Sequence, residues 1–186
     1  MNDFQQNYEL ILQETRASLA AVDPQQVEKF IDELLAARQV FVIGVGRVML
    51  SMQAFAKRLG HLGLSVHVVG EIAEPAITDK DLLVIGSGSG ESVVPVAIAK
   101  VAHQHGARIA HIGSNPQSSL ATLTSVFVRI PVKTKLNLPG EIDSRQIMSS
   151  LFEQSLYLFG DAVALCIAQR KRADIKALWR CHANLE

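Results

Sequence analysis

The segment from Asp81 to Ser92 places the tightest constraint on the fold. Leu82, Leu83, Val84 and Ile85 form an unbroken apolar run of strand length, which empties into Gly86, Ser87, Gly88, Ser89 and Gly90. Apolar residues at helical spacing follow, with Pro95 in the first turn, where a missing N–H does little harm. A short continuous apolar run is the pattern of a strand buried on both faces. A strand, a turn of small residues and a helix start also gather backbone N–H groups, hydroxyls and the positive end of a helix dipole at one point. The segment therefore predicts a strand–turn–helix unit with an anion pocket at its corner, and phosphate is the anion that suits it.

The same unit recurs along the chain. Val40, Phe41, Val42 and Ile43 end in Gly44, and Gly46–Arg47 makes a turn. Val48, Met52, Phe55, Leu59 and Leu62 then repeat at helical spacing. Further strands are predicted at 65–69, 107–113 and 125–130, a helix at about 92–105, and a last long helix at about 148–170. Phe152, Leu156, Phe159, Val163 and Ile167 make the apolar stripe of that last helix. Two helices come first. One spans 3–20, with Tyr8, Ile11, Leu12 and Leu19 as its apolar positions. The second starts at Asp23–Pro24, an N-cap followed by a first-position proline. Strands alternating with helices predict an α/β fold: a five-stranded parallel sheet in a three-layer αβα sandwich, flavodoxin-like and doubly wound. Ligands in such folds lie beyond the carboxyl ends of the strands, where both glycine turns fall. The stretch 131–148, with Pro131, Pro139 and Gly140, reads as a long loop of the kind that is often functional. Residues 1–186 read as one domain, with the N-terminal helices 3–38 and the tail 171–186 packing on it or on neighbouring subunits.

Composition excludes several classes. With 18 Lys and Arg against 18 Asp and Glu, the chain lacks the basic excess of a nucleic-acid binder. It is 48% hydrophobic and only 19% charged, which points to strands buried on both faces or to a surface hidden in an oligomer. Cys166 and Cys181 make no disulfide framework, the start lacks a signal-peptide pattern, and no apolar run is expected to cross a bilayer. The expectation is a cytoplasmic protein with no nucleic-acid or membrane partner.

Five motifs carry a family resemblance over nearly the whole chain. They are Gly44-Val45-Gly46-Arg47, Arg58-Leu59-Gly60-His61-Leu62-Gly63, Val84 through Ser92, Ser150-Leu151-Phe152-Glu153-Gln154, and the terminal His182-Ala183-Asn184-Leu185-Glu186. With these the chain resembles the sugar isomerase (SIS) domain family, and within it the 6-phospho-3-hexuloisomerases. The resemblance implies interconversion of D-arabino-3-hexulose 6-phosphate and fructose 6-phosphate, the isomerase half of the ribulose monophosphate route. It also implies a homotetramer whose active sites take residues from neighbouring subunits. The sequence departs from the family pattern at Val48, where a serine is usual, at Met49, where a small residue is usual, and at Ser92, where threonine is usual.

Moving a carbonyl between adjacent carbons needs a base, a group that stabilises the enediolate, and a proton shuttle, with no obligatory metal or organic cofactor. Glu153 is the candidate base. His182 is the candidate shuttle or polarising group, because histidine titrates near neutrality, and His61 is a third candidate. Ser87, Ser89 and Ser92, with the backbone of Gly88 and Gly90, are the candidate phosphate ligands, and Gly46 and Arg47 the candidate substrate contacts. Glu91 is expected to orient the loop rather than touch the anion. His103 and His105 point in different directions, and His67 and His111 stand alone, so no metal-ligand spacing is present. The serine turn is not a nucleophile elbow, which excludes a hydrolase. Two other readings remain: an isomerase of another phosphosugar such as arabinose 5-phosphate, and a non-catalytic module that senses a phosphosugar.

Overall fold

A computed structural model describes residues 2–185. Strands β1 (Val40–Ile43), β2 (Val66–Val68), β3 (Leu82–Gly86), β4 (Arg108–Gly113) and β5 (Val126–Arg129) form one parallel sheet in the order β2-β1-β3-β4-β5. The helices are α1 (Asp3–Ala20), α2 (Pro24–Ala36), α3 (Gly46–His61), α4 (Val93–Gln104) and α5 (Ser150–Arg170), with a short 3-10 helix at Ala177–Cys181. The chain winds from β1 outward to β2, then returns to β3 and winds the other way, so the fold is the doubly wound αβα sandwich.

The continuous apolar runs are explained by two cores. Val40, Val42, Leu82 and Val84 face α2, α3 and α5 in one core. Phe41, Ile43, Leu83 and Ile85 pack with Ala99 and Ala102 of α4 and with Leu120 in the other. Alternate residues thus enter opposite layers, and no polar face remains to give a period of two. The start of β3 is held by Asp81, whose buried carboxylate accepts from Arg38 at 2.9 and 2.8 Å and from Thr78. The Arg38 hydrogen bond, together with those from Thr78 and the Arg38 charge, outweighs burial and pulls its pKa down to about 2.

Helices α3 and α5 lie close together, because Gly160 leaves room for the Phe55 ring; a Cβ there would come within 3.0 Å of it. The Ser51 hydroxyl donates to the Glu153 carbonyl at 2.9 Å and ties the two helices near their N-termini. This close approach sets Arg47 beside Glu153.

Two expectations are corrected. Only part of the apolar set of α1 faces inward: Leu19 packs against the core and Ile11 is half-buried, but Leu12 is 59% exposed and Tyr8 is exposed as well. The helix also docks through Thr15 and Ser18, with the Ser18 and Ser155 hydroxyls 2.6 Å apart. Helix α5, secondly, is long and apolar enough to cross a bilayer by length and composition. Its apolar surface is taken up inside the protein, where Leu151, Phe152, Leu156, Phe159, Val163 and Ile167 are buried in the larger core.

Candidate functional site

The site lies where the strand order reverses, at the carboxyl ends of the adjacent strands β1 and β3. From β1 the chain enters the Gly44–Arg47 turn, and Gly46 adopts a left-handed φ of 57° to start α3. From β3 it enters the serine and glycine loop. Gly86 lets that loop pass close to α3, since a Cβ would press on the Met52 sulfur at 2.7 Å and on Val48 Cγ1 at 3.0 Å. Between the two turns lies a cleft of about 280 Å³, lined by Gly46, Arg47, Ser87, Gly88, Ser89, Ser92, Thr134, Lys135, Ser149 and Glu153, with Val48 and Phe152 as apolar walls.

The loop backbone is held from below. Ser87 C=O accepts from His111 Nε2 at 2.8 Å. Gly88 C=O accepts from the N–H groups of Ser114 at 2.9 Å and Asn115 at 3.2 Å. Ser89 C=O accepts from Asn115 Nδ2 at 3.1 Å. In a trans peptide the C=O and the following N–H point opposite ways. Carbonyls drawn toward β4 therefore turn the Gly88 and Ser89 N–H groups toward the cleft. Among the described residues neither of these N–H groups has a protein acceptor. Gly90 N–H, from a left-handed residue with φ 66°, donates to the Ser87 hydroxyl at 3.1 Å, which lies 3.5 Å from the Ser92 hydroxyl. Ser92 is the N-cap of α4 but makes no side-chain cap bond, leaving the first N–H groups of that helix to an outside acceptor. The loop thus turns N–H donors and hydroxyls toward the cleft, an arrangement suited to an anion.

On the opposite wall Arg47 Nε pairs with Glu153 Oε2. The Glu153 side chain is only 13% exposed and the Arg47 side chain 66%. The carboxylate is thus sheltered at the rim of the cleft while the guanidinium can swing. Val48 packs its Cγ1 into the space beside Gly44 and Gly86 as well as lining the cleft, so it fills the corner between the two turns. Glu91 turns away to Ser119, accepting from its N–H at 2.8 Å and its hydroxyl at 2.6 Å. Those bonds, with the hydroxyl's the larger, hold its pKa below the ordinary range.

Thr134, Lys135 and Ser149 were not singled out from the sequence. They belong to the 131–148 loop and the start of α5, and Glu141 folds the loop over the cleft by accepting from Thr134 N–H, Thr134 hydroxyl and Ser114 hydroxyl. Lys135 adds a second cation to the cleft.

His61 and His182 are not in this cleft. They lie at the far end of α3, about 21 Å from Arg47 by helical rise. There the two rings stack with centroids 5.5 Å apart, and Trp179 packs 5.3 Å from His182. They line a separate hollow of about 200 Å³ with Arg58, Leu62, Ile175 and Leu178. Burial, followed by the charges of Lys57, Arg58 and His182, lowers the pKa of His61. Within one chain, then, the carboxylate and the two histidines are not brought together. The last residue of the terminal motif, Glu186, lies outside the described residues. Beside the cleft, Ile11, Leu12, Leu19, Leu50 and Leu158 line an apolar groove of about 760 Å³ that ends at Arg47 and Glu153.

Comparison with known proteins gives a consistent result. Residues 33–158 match the SIS domain. The chain is 39% identical to the 3-hexulose-6-phosphate isomerase of Bacillus subtilis over 178 residues, covering 95% of each chain. It is 40% identical to the 3-hexulose-6-phosphate isomerase of Mycobacterium gastri over 185 residues, covering 100% of this chain and 92% of the other. A crystal structure from Methanococcus jannaschii, whose description infers a molecular function of 3-hexulose-6-phosphate isomerase, superposes with a TM-score of 0.83 at 26% identity, over 97% of this chain and 99% of the other.

Proposed function

Given that the chain belongs to the SIS domain family, we propose that it interconverts 3-hexulose 6-phosphate and fructose 6-phosphate. The observation that carries this reading is the pairing of an N–H-lined anion loop with a sheltered carboxylate across one small cleft. Relatives at about 40% identity over nearly the full chain are isomerases of this substrate.

The chemistry follows from the geometry. The phosphate sits on the Gly88 and Ser89 N–H groups, the Ser87 and Ser92 hydroxyls and the N-terminus of α4, with Gly90 shaping the turn. That anchor lays the sugar chain toward Gly46, Arg47 and Glu153. Glu153 removes the proton from C2 of the 3-ketose, giving a 2,3-enediolate. Arg47, released from Glu153, stabilises the oxygen that gains charge. A proton passes from the C2 oxygen to the C3 oxygen, and Glu153 returns its proton to C3, leaving the carbonyl at C2. No proton is gained or lost overall.

The proton shuttle between the oxygens is assigned to His61 or His182 of a neighbouring subunit in a homotetramer. Two observations support this: both histidines lie far from their own cleft, and the apolar groove of Leu12, Leu50 and Leu158 runs up to Glu153. A cytoplasmic setting suits the free thiols of Cys166 and Cys181.

The test is proton NMR of fructose 6-phosphate incubated with the protein in deuterated water. Exchange at C3 is the expected result. Exchange at C1 instead would indicate an aldose product, and no exchange with any phosphorylated ketose would indicate a binding module.

A further inference from the structure

His111 is a buried titratable group for which the proposed chemistry has no use. It lies in β4 between Ala110 and Ile112, 1% exposed, with its ring 5.0 Å from that of Phe127. The imidazole adds one thing, a donor: Nε2 lies 2.8 Å from the Ser87 carbonyl oxygen. A carbonyl can only accept, so the ring carries its proton on Nε2. Burial pushes the pKa of His111 down to about 4, against a smaller raising effect of the Ser87 bond, so it stays a neutral donor at ordinary pH.

We propose that His111 is a positioning residue for substrate phosphate, holding the Ser87 carbonyl down on β4 and so aiming the Gly88 N–H at the anion. The inference rests on the phosphate reading of the cleft. The contact is built from both sides. A Cβ on Gly90 would come within 3.0 Å of His111 Cε1, so the loop crosses the ring edge at a glycine. Asn115 and Ser114 take the next two carbonyls from the same side. Three successive carbonyls, Ser87, Gly88 and Ser89, are thereby turned away from the place where a dianion would meet them. Released from His111, the Ser87–Gly88 peptide could flip and present its carbonyl to the phosphate, exchanging attraction for repulsion.

The experiment compares His111→Gln, which keeps an N–H donor at similar reach, with His111→Leu, which keeps bulk alone. Affinity for inorganic phosphate is read by NMR titration, KM and kcat with fructose 6-phosphate, and folding by melting temperature. The leucine variant is expected to bind phosphate about tenfold more weakly, with KM raised more than kcat is lowered. The glutamine variant is expected to recover affinity to within about threefold, although both lose the ring contact with Phe127. Equal phosphate affinity in the wild type and a folded leucine variant overturns the proposal, as does a folded glutamine variant no better than leucine. Should the leucine variant not fold, the wild-type ring decides: its Nε2–H is expected to exchange more slowly with phosphate bound, and unchanged exchange overturns the proposal. Failure of the wild-type protein to bind phosphate is a distinct outcome, which overturns the phosphate reading and this inference with it.

Discussion

Replacing Glu153 by glutamine separates its proposed role as the base from everything else the residue does. Glutamine keeps the size and an oxygen that can accept from Arg47, but cannot take up a proton at neutral pH. The Arg47–Glu153 pair is largely open to solvent on the arginine side, so its loss changes stability by less than about 1 kcal/mol. Against a typical stability of roughly 5–15 kcal/mol, that leaves the folded population intact. On the proposed binding mode, removing a negative charge beside the phosphate cleft is expected to leave phosphosugar affinity unchanged or slightly tighter. The chemical step, by contrast, is expected to lose its proposed base, a change worth about 10²–10⁴ in rate, or roughly 3–5 kcal/mol in the barrier. The assay is turnover of fructose 6-phosphate by deuterium exchange, with calorimetric binding of the same sugar as control. The expected result is near-wild-type affinity with at least a hundredfold loss of turnover. A variant retaining turnover within tenfold of wild type refutes the assignment of Glu153 as the base.

Other perturbations probe the frame around that step. Gly90→Ala places a Cβ on a left-handed residue and against Ser118, so a destabilisation of about 1–3 kcal/mol in denaturant titration and a marked loss of phosphosugar binding are expected; wild-type behaviour would show that the loop relaxes freely. The carboxyl of Asp81 has a folded pKa of about 2, below its usual value, so its stabilisation is fully present above pH 4. It is lost as pH falls through 2, removing about 2 kcal/mol. Asp81→Asn should make the acid-side slope shallower in denaturation measured across pH, and an unchanged slope would contradict the assignment. In a tetramer with shared sites, mixing Glu153→Gln subunits with subunits carrying both His61→Asn and His182→Asn should restore part of the activity that each lacks alone. No recovery in hetero-oligomers confirmed by mass measurement would argue for sites complete within one chain.

The strands and most helices were legible because burial on both faces leaves an unmistakable signal: four or five apolar residues in a row, closed by glycine, as in residues 40–44 and 82–86. The serine and glycine loop after β3 was legible for a local reason, since its donors are close together in sequence. What escaped was whatever depends on neighbours distant in sequence. His111 stands alone in the chain and meets Ser87 only because β3 and β4 pair in parallel, with Ile85 beside His111. Thr134 and Lys135 reach the cleft because Glu141 draws their loop inward, a set of hydrogen bonds that hydrophobic periodicity cannot register. The docking of α1 escaped for the same reason: the helix meets α5 through a buried pair of serine hydroxyls, with Leu19 against the core and Leu12 outside. Glu153 and the histidines could be named as chemistry but not placed, because the length of α3 puts its start, beside Glu153, at the carboxyl ends of the strands and its end, with His61, at their amino ends.

A crystal structure with fructose 6-phosphate bound examines the core of this account most directly. The phosphate is expected on the Gly88 and Ser89 N–H groups and the Ser87 hydroxyl, with C3 of the sugar about 3–3.5 Å from a Glu153 carboxylate oxygen. A phosphate bound elsewhere, with the serine loop left empty and C3 out of reach of Glu153, would contradict it.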